Sequence, residues 1–226
     1  MSGPSVLRVV GPDDRGVATL TLDRPAVKNA LSIQLRDEIS DALDGLAADD
    51  ALKVVVITGA GDAFCSGFDL KEFEIADPGF QTRLWASSDR YHRTVLQFPL
   101  PLVAAVDGAA LAGGFDLAVM CDIRVASDRA RFAHPEITFG EVVYGPLHDL
   151  VGGAVARELC FTGRDVAADE AKLLGLVSSV VPVVELAAEV ERITDLIVRA
   201  PRAVLASTKS KALRRAGNDA GRTLDL

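Results

Sequence analysis

Asp116 is the residue that most needs a chemical explanation. It lies near the start of AGGFDLAVMCDIRVAS (112–127), a segment whose other members read as core. An unpaired buried carboxylate costs several kcal/mol or more, so it needs a partner or a task. Pairing with Arg124 or Arg131 is the structural alternative. Two glycine-rich loops each follow an apolar run: GAGDAFCSGFDLK after 53–58, and DGAALAGGFDL after 102–106. Loops at the same edge of a parallel sheet point their backbone at one crevice, and glycine lets N–H groups approach a ligand closely. One N–H from each loop would make an oxyanion hole, a pair of donors aimed where negative charge develops on an oxygen. Two tight turns without chemistry fit the spacing equally well.

Other chemistries find less support. GAGDAF has Phe64 where a dinucleotide-binding G-x-G-x-x-G needs its third glycine. There is no Walker loop and no G-x-S-x-G elbow, and Ser66 in FCSGF has no evident histidine partner. His92, His134 and His148 lack metal-ligand spacing and read as surface or packing residues, so no metal site is expected. Cys65, Cys121 and Cys160 are far apart, without a C-x-x-C. That usage predicts reduced, buried thiols in a cytoplasmic protein, not a disulfide frame.

The elements that must position these residues alternate between two periods. VLRVV and VATLTL flank GPDDRG as a hairpin. Leu35, Ile39, Ala42, Leu43 and Leu46 follow helical spacing after Ser32, a fitting N-cap, so a helix is predicted to about Ala48. Runs 53–58 and 102–106 read as strands buried on both faces, and 123–127 as a third parallel strand. Between the last two, 113–120 reads as a short helix. The spacing predicts further helices within 73–97 and over 147–161, 167–174, 183–199 and 201–215. Strand and helix alternate, which makes an α/β chain. A shift in composition near Pro182 divides it into a core, 1–182, and a helical tail, 183–226.

Composition sets outer limits. The 226 residues are 49% hydrophobic and 25% charged, enough for a sizeable core. A net charge of −8 argues against nucleic acid and anionic membrane as partners, though a local basic patch would still hold an anionic ligand. The N-terminus lacks the pattern of a secretory signal. The most apolar window, 100–121, is broken by Asp107, Asp116 and glycines, and is a poor transmembrane candidate.

Four ordered blocks carry a resemblance: TLDRPAVKNALS, VVVITGAGDAFCSGFDLK, the long run PLVAAVDGAALAGGFDLAVMCDIRVASDRARFAHPEITFG, and ELCFTGRDVAADEAKLLGLVSSVVP. Together they resemble the crotonase, or enoyl-CoA hydratase/isomerase, family from roughly Leu20 to Arg215. The resemblance implies a ββα spiral (a superhelix), acyl-CoA thioesters as ligands, and a homotrimer or hexamer. It implies no cofactor beyond the coenzyme A of the substrate. The backbone N–H groups of Phe68 and Gly113 match the family's oxyanion hole. Lys28, Ala30 and Leu31 match one side of its CoA groove, and Ser66, Asp69, Leu70 and Lys71 the other. Asp116 and Glu136 match the two catalytic glutamates of the hydratases, with Asp116 one methylene shorter. Such a pair fits hydration of an enoyl-CoA, and also double-bond isomerisation, since aspartate at the first position occurs among dienoyl-CoA isomerases.

The chain departs from the family pattern in two places. FGEVVYGPLHDLVG replaces the family's GGTQRL-containing segment, which shapes the acyl pocket. The tail after 183 is a shortened form of the region that supports trimer packing. Hydration in fatty acid metabolism is therefore the expected activity. Isomerisation, non-catalytic acyl-CoA binding, and action on a carrier-tethered acyl group are the alternatives.

Overall fold

The computed structural model describes residues 4–217, 222, 223 and 226. Its main sheet has six strands: β1 (Leu7–Val10), β2 (Val17–Leu22), β3 (Val54–Gly59), β5 (Leu102–Val106), β7 (Ile123–Ser127) and β10 (Ser179–Val181), in that spatial order. β1 and β2 form the expected antiparallel hairpin, and every other pairing in this sheet is parallel. A smaller sheet orders β4 (Ala63–Cys65), β6 (Ala109–Leu111), β8 (Arg131–Ala133) and β9 (Val166–Ala167). Three successive turns of chain thus each lay one strand in the large sheet and the next in the small one. This is the ββα spiral.

The continuous apolar runs have a direct cause. On one face of the large sheet, Leu20, Val55, Ile57, Leu102 and Ala104 join the main core, together with Leu35, Ile39 and Leu43 of α1 (Ile33–Ala47). On the other, Val54, Val56, Val103 and Val125 pack with Leu186 and Val190 of α7 (Leu186–Val198). A strand covered on both faces needs apolar residues at every position. α1 starts where predicted: the Ser32 hydroxyl accepts from the Leu35 N–H at 3.2 Å. In α8 (Arg202–Ala216), the Lys209 ammonium is 2.6 Å from both carboxylate oxygens of Asp122, which also accepts from the Leu102 N–H. That contact ties the tail to the junction between β5 and β7.

Two features differ from the sequence expectation. The glycine-rich loops contain short strands, β4 and β6, and the small sheet as a whole is built of strands of two or three residues. Runs that short show no alternation from which to infer them. The helix expected over 147–161 belongs to α5 (Gly145–Thr162), which breaks at Gly152, where φ is 76° and ψ 161°. The remaining helices are α2 (Leu70–Phe73), α3 (Pro78–Leu96), α4 (Gly113–Met120) and α6 (Ala168–Leu173).

Candidate active site

The two glycine-rich loops meet because their strands are neighbours. β4 pairs with β6 in parallel, so the residues just past their ends, Phe68 and Gly113, emerge side by side. The first loop is braced from below. Leu31 bridges Phe68, with its N–H on the Gly67 carbonyl at 2.8 Å and its own carbonyl accepting from Asp69 at 3.3 Å. The fully buried Arg36 donates to the same Leu31 carbonyl at 2.9 Å and stacks its guanidinium 4.7 Å from the Phe68 ring centre. The second loop turns into α4 through Ala112, whose φ of 51° and ψ of −130° are rare for a side chain-bearing residue. Close approach requires glycine at two positions. A Cβ on Gly67 would sit 2.7 Å from the Ala112 Cβ and 3.1 Å from the Gly113 nitrogen. One on Gly114 would sit 2.2 Å from the Cys65 carbonyl oxygen. Among the described residues, neither the Phe68 nor the Gly113 N–H has an acceptor. Gly113 also opens α4, where the helix dipole favours negative charge.

Both N–H groups border a cavity of about 810 Å³. Phe68, Phe73, Trp85 and His92 form an aromatic wall, with Phe73 stacked on Phe68 and edge-on to Trp85. Asp116 and Glu136 lie on the same cavity, 5% and 9% exposed. Exposed Leu70, Lys71 and Phe139 line its open side.

The carboxylates are not alone. His134, 1% exposed, places its Nδ1 3.0 Å from Glu136 Oε1 and 3.8 Å from Asp116 Oδ1. Ligand atoms of the three residues all lie within 4.8 Å of one another. Burial pushes the Asp116 carboxyl up to about 7; the His134 charge opposes that rise and Glu136 adds to it. For His134 burial disfavours the cation, but the Glu136 hydrogen bond and the two carboxylates outweigh it and hold its pKa above the usual value. Asp116 Oδ1, Glu136 Oε2 and His134 Nε2 are buried without a hydrogen-bond partner among the described residues. Asp116 does not pair with arginine: Arg124 donates to four backbone carbonyls and Arg131 pairs with Asp165.

The structure brings together most of the residues singled out in the sequence. Phe68, Gly113, Asp116, Glu136, Ala30, Ser66, Asp69, Leu70 and Lys71 all border the cavity. Leu31 and Lys28 do not. Leu31 is fully buried beneath the Phe68 loop, and Lys28 makes an exposed ion pair with Asp62 at 2.6 Å. Asp69 is held by Arg24 at 2.9 Å. His134 is buried and also hydrogen-bonds Glu136 two residues on, and the three-residue group that could hold a metal forms where this segment meets Asp116 of α4. The aromatic wall also escaped sequence reasoning, because it exists only once α3 sets Trp85 and His92 beside Phe68 and Phe73 on one cavity. Its one available signal was a histidine two turns from a tryptophan on the same helix.

A family model described as enoyl-CoA hydratase/isomerase matches residues 13–224. "Probable enoyl-CoA hydratase echA8" of Mycobacterium bovis is 38% identical over 208 residues, covering 90% of this chain and 79% of the relative. The short-chain-enoyl-CoA hydratase of Clostridium acetobutylicum is 35% identical, covering 86% and 77%. The crystal structure of an enoyl-CoA hydratase from Mycobacterium smegmatis superimposes with a TM-score of 0.86 at 38% identity, covering 95% of this chain and 84% of the other.

Proposed function

This chain belongs to the enoyl-CoA hydratase/isomerase family, and from that premise we propose that it adds water across the 2,3 double bond of an enoyl-CoA thioester. One observation carries this: two buried carboxylates share a cavity with two backbone N–H groups that lack acceptors. The thioester carbonyl oxygen accepts from Phe68 and Gly113. As water attacks C3, charge moves onto that oxygen as an enolate, and the two donors stabilise it. A single donor of this kind contributes about 3–4 kcal/mol to the transition state. One carboxylate takes the proton of the attacking water while the other, protonated, delivers a proton to C2. Water is thus divided between C3 and C2, and the carboxylates exchange protonation states.

Nothing in this sequence of steps needs a resident metal or cofactor. The same pair could move a proton from one carbon to another, so double-bond isomerisation is the second reading, favoured by the shorter Asp116. Lys71 at the open side supplies positive charge for the CoA phosphates, and Ala30, Ser66 and Leu70 apolar and polar contact for its chain. A homotrimer or hexamer in the cytoplasm, working in fatty acid metabolism, completes the proposal. Three buried free thiols support a reducing compartment, and among the described residues no helix is long and apolar enough to cross a membrane.

The test is purified protein with crotonyl-CoA and longer 2-enoyl-CoA esters, following loss of enone absorbance, with 3-enoyl-CoA esters in parallel. Hydration of the 2-enoyl esters, undiminished after chelator treatment, is expected. Turnover of the 3-enoyl esters alone would establish isomerisation instead. Binding of CoA esters with no turnover of either set would overturn the enzymatic assignment.

A further inference from the structure

His92 of α3 takes no part in the proton transfers, yet it lines the cavity and is 1% exposed. Its Nδ1 lies 2.9 Å from the Ser88 carbonyl, one turn back on the helix, and 3.1 Å from the Thr223 hydroxyl. That hydroxyl in turn lies 2.9 Å from the Ser88 hydroxyl. A carbonyl only accepts, so Nδ1 carries the proton and Nε2, on the far side of the ring, presents a lone pair. Nε2 is buried without a hydrogen-bond partner among the described residues. The ring is packed in place: Phe68 meets it edge-on with centres 6.0 Å apart, and Tyr91 does so at 5.0 Å. Protonation does not relieve the nitrogen. Burial pushes the imidazole down to about 4, the Ser88 hydrogen bond opposing and the Arg36 charge adding, so near neutral pH Nε2 stays an acceptor.

A buried acceptor without a partner has lost its hydration and recovers it only when something supplies a donor. The adjoining wall does not, since the Phe68 and Phe73 side chains carry no polar atom. A molecule entering the cavity does. Resting on the hydratase reading, we infer that His92 is a specificity-determining residue whose Nε2 accepts from a hydroxyl group carried on the acyl chain of the substrate, beyond the double bond. The chemistry of the wall selects the hydroxyl. A carboxylate brings only acceptors, and an ammonium group would surrender its hydration to apolar surroundings. A hydroxyl is small and neutral and still donates. Its place on the chain follows from the neighbours of His92. The imidazole is reached across the Phe68 side chain from the N–H that holds the thioester oxygen. It makes no hydrogen bond or ion pair with Asp116 or Glu136 among the described residues. The hydroxyl therefore sits on the part of the chain that hydration leaves unchanged. Nε2 is itself covered, so the half-buried rings of Phe68, Phe73 and Trp85 turn aside as that chain enters.

The test uses 2-enoyl-CoA esters of one chain length: the unsubstituted parent, and a series in which a single hydroxyl moves carbon by carbon from C4 to the chain end. With the whole wild-type protein, kcat/KM for the best-placed hydroxyl is expected to exceed that of the parent about 10–100-fold, because the parent leaves Nε2 unpaired. His92→Phe removes the acceptor and keeps a flat ring, so the ratio is expected to fall to within about threefold. His92→Met, unbranched and adaptable, takes its place if thermal unfolding shows that the phenylalanine variant has not folded. Two results overturn the inference while leaving hydration intact. One is a wild type that prefers no hydroxylated ester by more than about threefold; the other is a preference that survives in the folded variant. Calorimetric binding of the saturated analogues separates the two readings. A wild type that hydrates no ester, yet binds a hydroxylated analogue about tenfold or more tightly than its parent, overturns the hydratase reading and upholds the His92 site. No turnover together with no preference in binding overturns both.

Discussion

The buried cluster inside the cavity and an exposed ion pair outside it obey different electrostatics. At the inner end, Asp116, His134 and Glu136 are almost fully buried and pushed close together. Outside the cavity, Lys28 and Asp62 pair at 2.6 Å, but with side chains 54% and 64% exposed. Water and salt screen the outer pair, so its worth is small despite the short distance. At the inner end, burial removes that screening, so the charges on Asp116, His134 and Glu136 act strongly on one another. Separation alone therefore says little about importance, whereas separation together with burial says a great deal.

The contrast yields predictions of decreasing size. Asp116→Asn and Glu136→Gln each remove one half of the proton transfer, and each should lower kcat about 10²–10⁴-fold in a steady-state assay. Acyl-CoA binding, measured by calorimetry with a saturated ester, should survive both. Gly67→Ala should lower kcat/KM about 10–100-fold, since a methyl group would press on both Ala112 and Gly113 and displace an oxyanion donor. Its positive φ of 93° adds backbone strain, so the melting temperature should fall as well.

Asp116→Asn should also reveal what the site costs in stability. The folded carboxyl titrates at about 7 against an ordinary 3.8. Between those values the unfolded chain ionises at this position and the folded one does not, so the native state loses stability as pH rises across the window. The asparagine variant should therefore melt several degrees above wild type at pH 8, with the gain shrinking towards pH 4. An equal or lower melting temperature at pH 8 would break the electrostatic account of the inner end. The smallest effect belongs to the outer pair. Lys28→Ala should change KM for a CoA ester by no more than about threefold, a difference that high salt removes. A tenfold rise would show that the outer side is more than a screened surface.

What could be seen in the sequence follows the same division by burial and range. The doubly covered strands announced themselves as unbroken apolar runs, and Ser32 announced the start of α1. Asp116 stood out because a charge in an apolar segment is costly. His134 did not, because its meaning depends on Asp116, Glu136 and the Phe115 ring converging on it in space, and a lone histidine has no period. The small sheet was hidden for a related reason: three residues cannot show an alternation. Leu31 and Lys28 matched a ligand groove as a string of residues. In the fold, Leu31 turns inward as a brace and Lys28 turns outward to Asp62.

The parallel pairing of β4 with β6 has a consequence for how such a catalyst can change. Phe68 and Gly113 are delivered by adjacent strands of one sheet, whose spacing is about 4.8 Å wherever backbone hydrogen bonds join two strands. The separation of the two donors thus starts from peptide geometry, and the Arg36 brace and the glycine at 67 hold it beyond the strand ends. Substitutions at Trp85 or at the acid/base positions can redirect substrate choice or reaction outcome while that strand pairing stays in place. The scaffold keeps its grip on the thioester while the remainder of the pocket is free to vary.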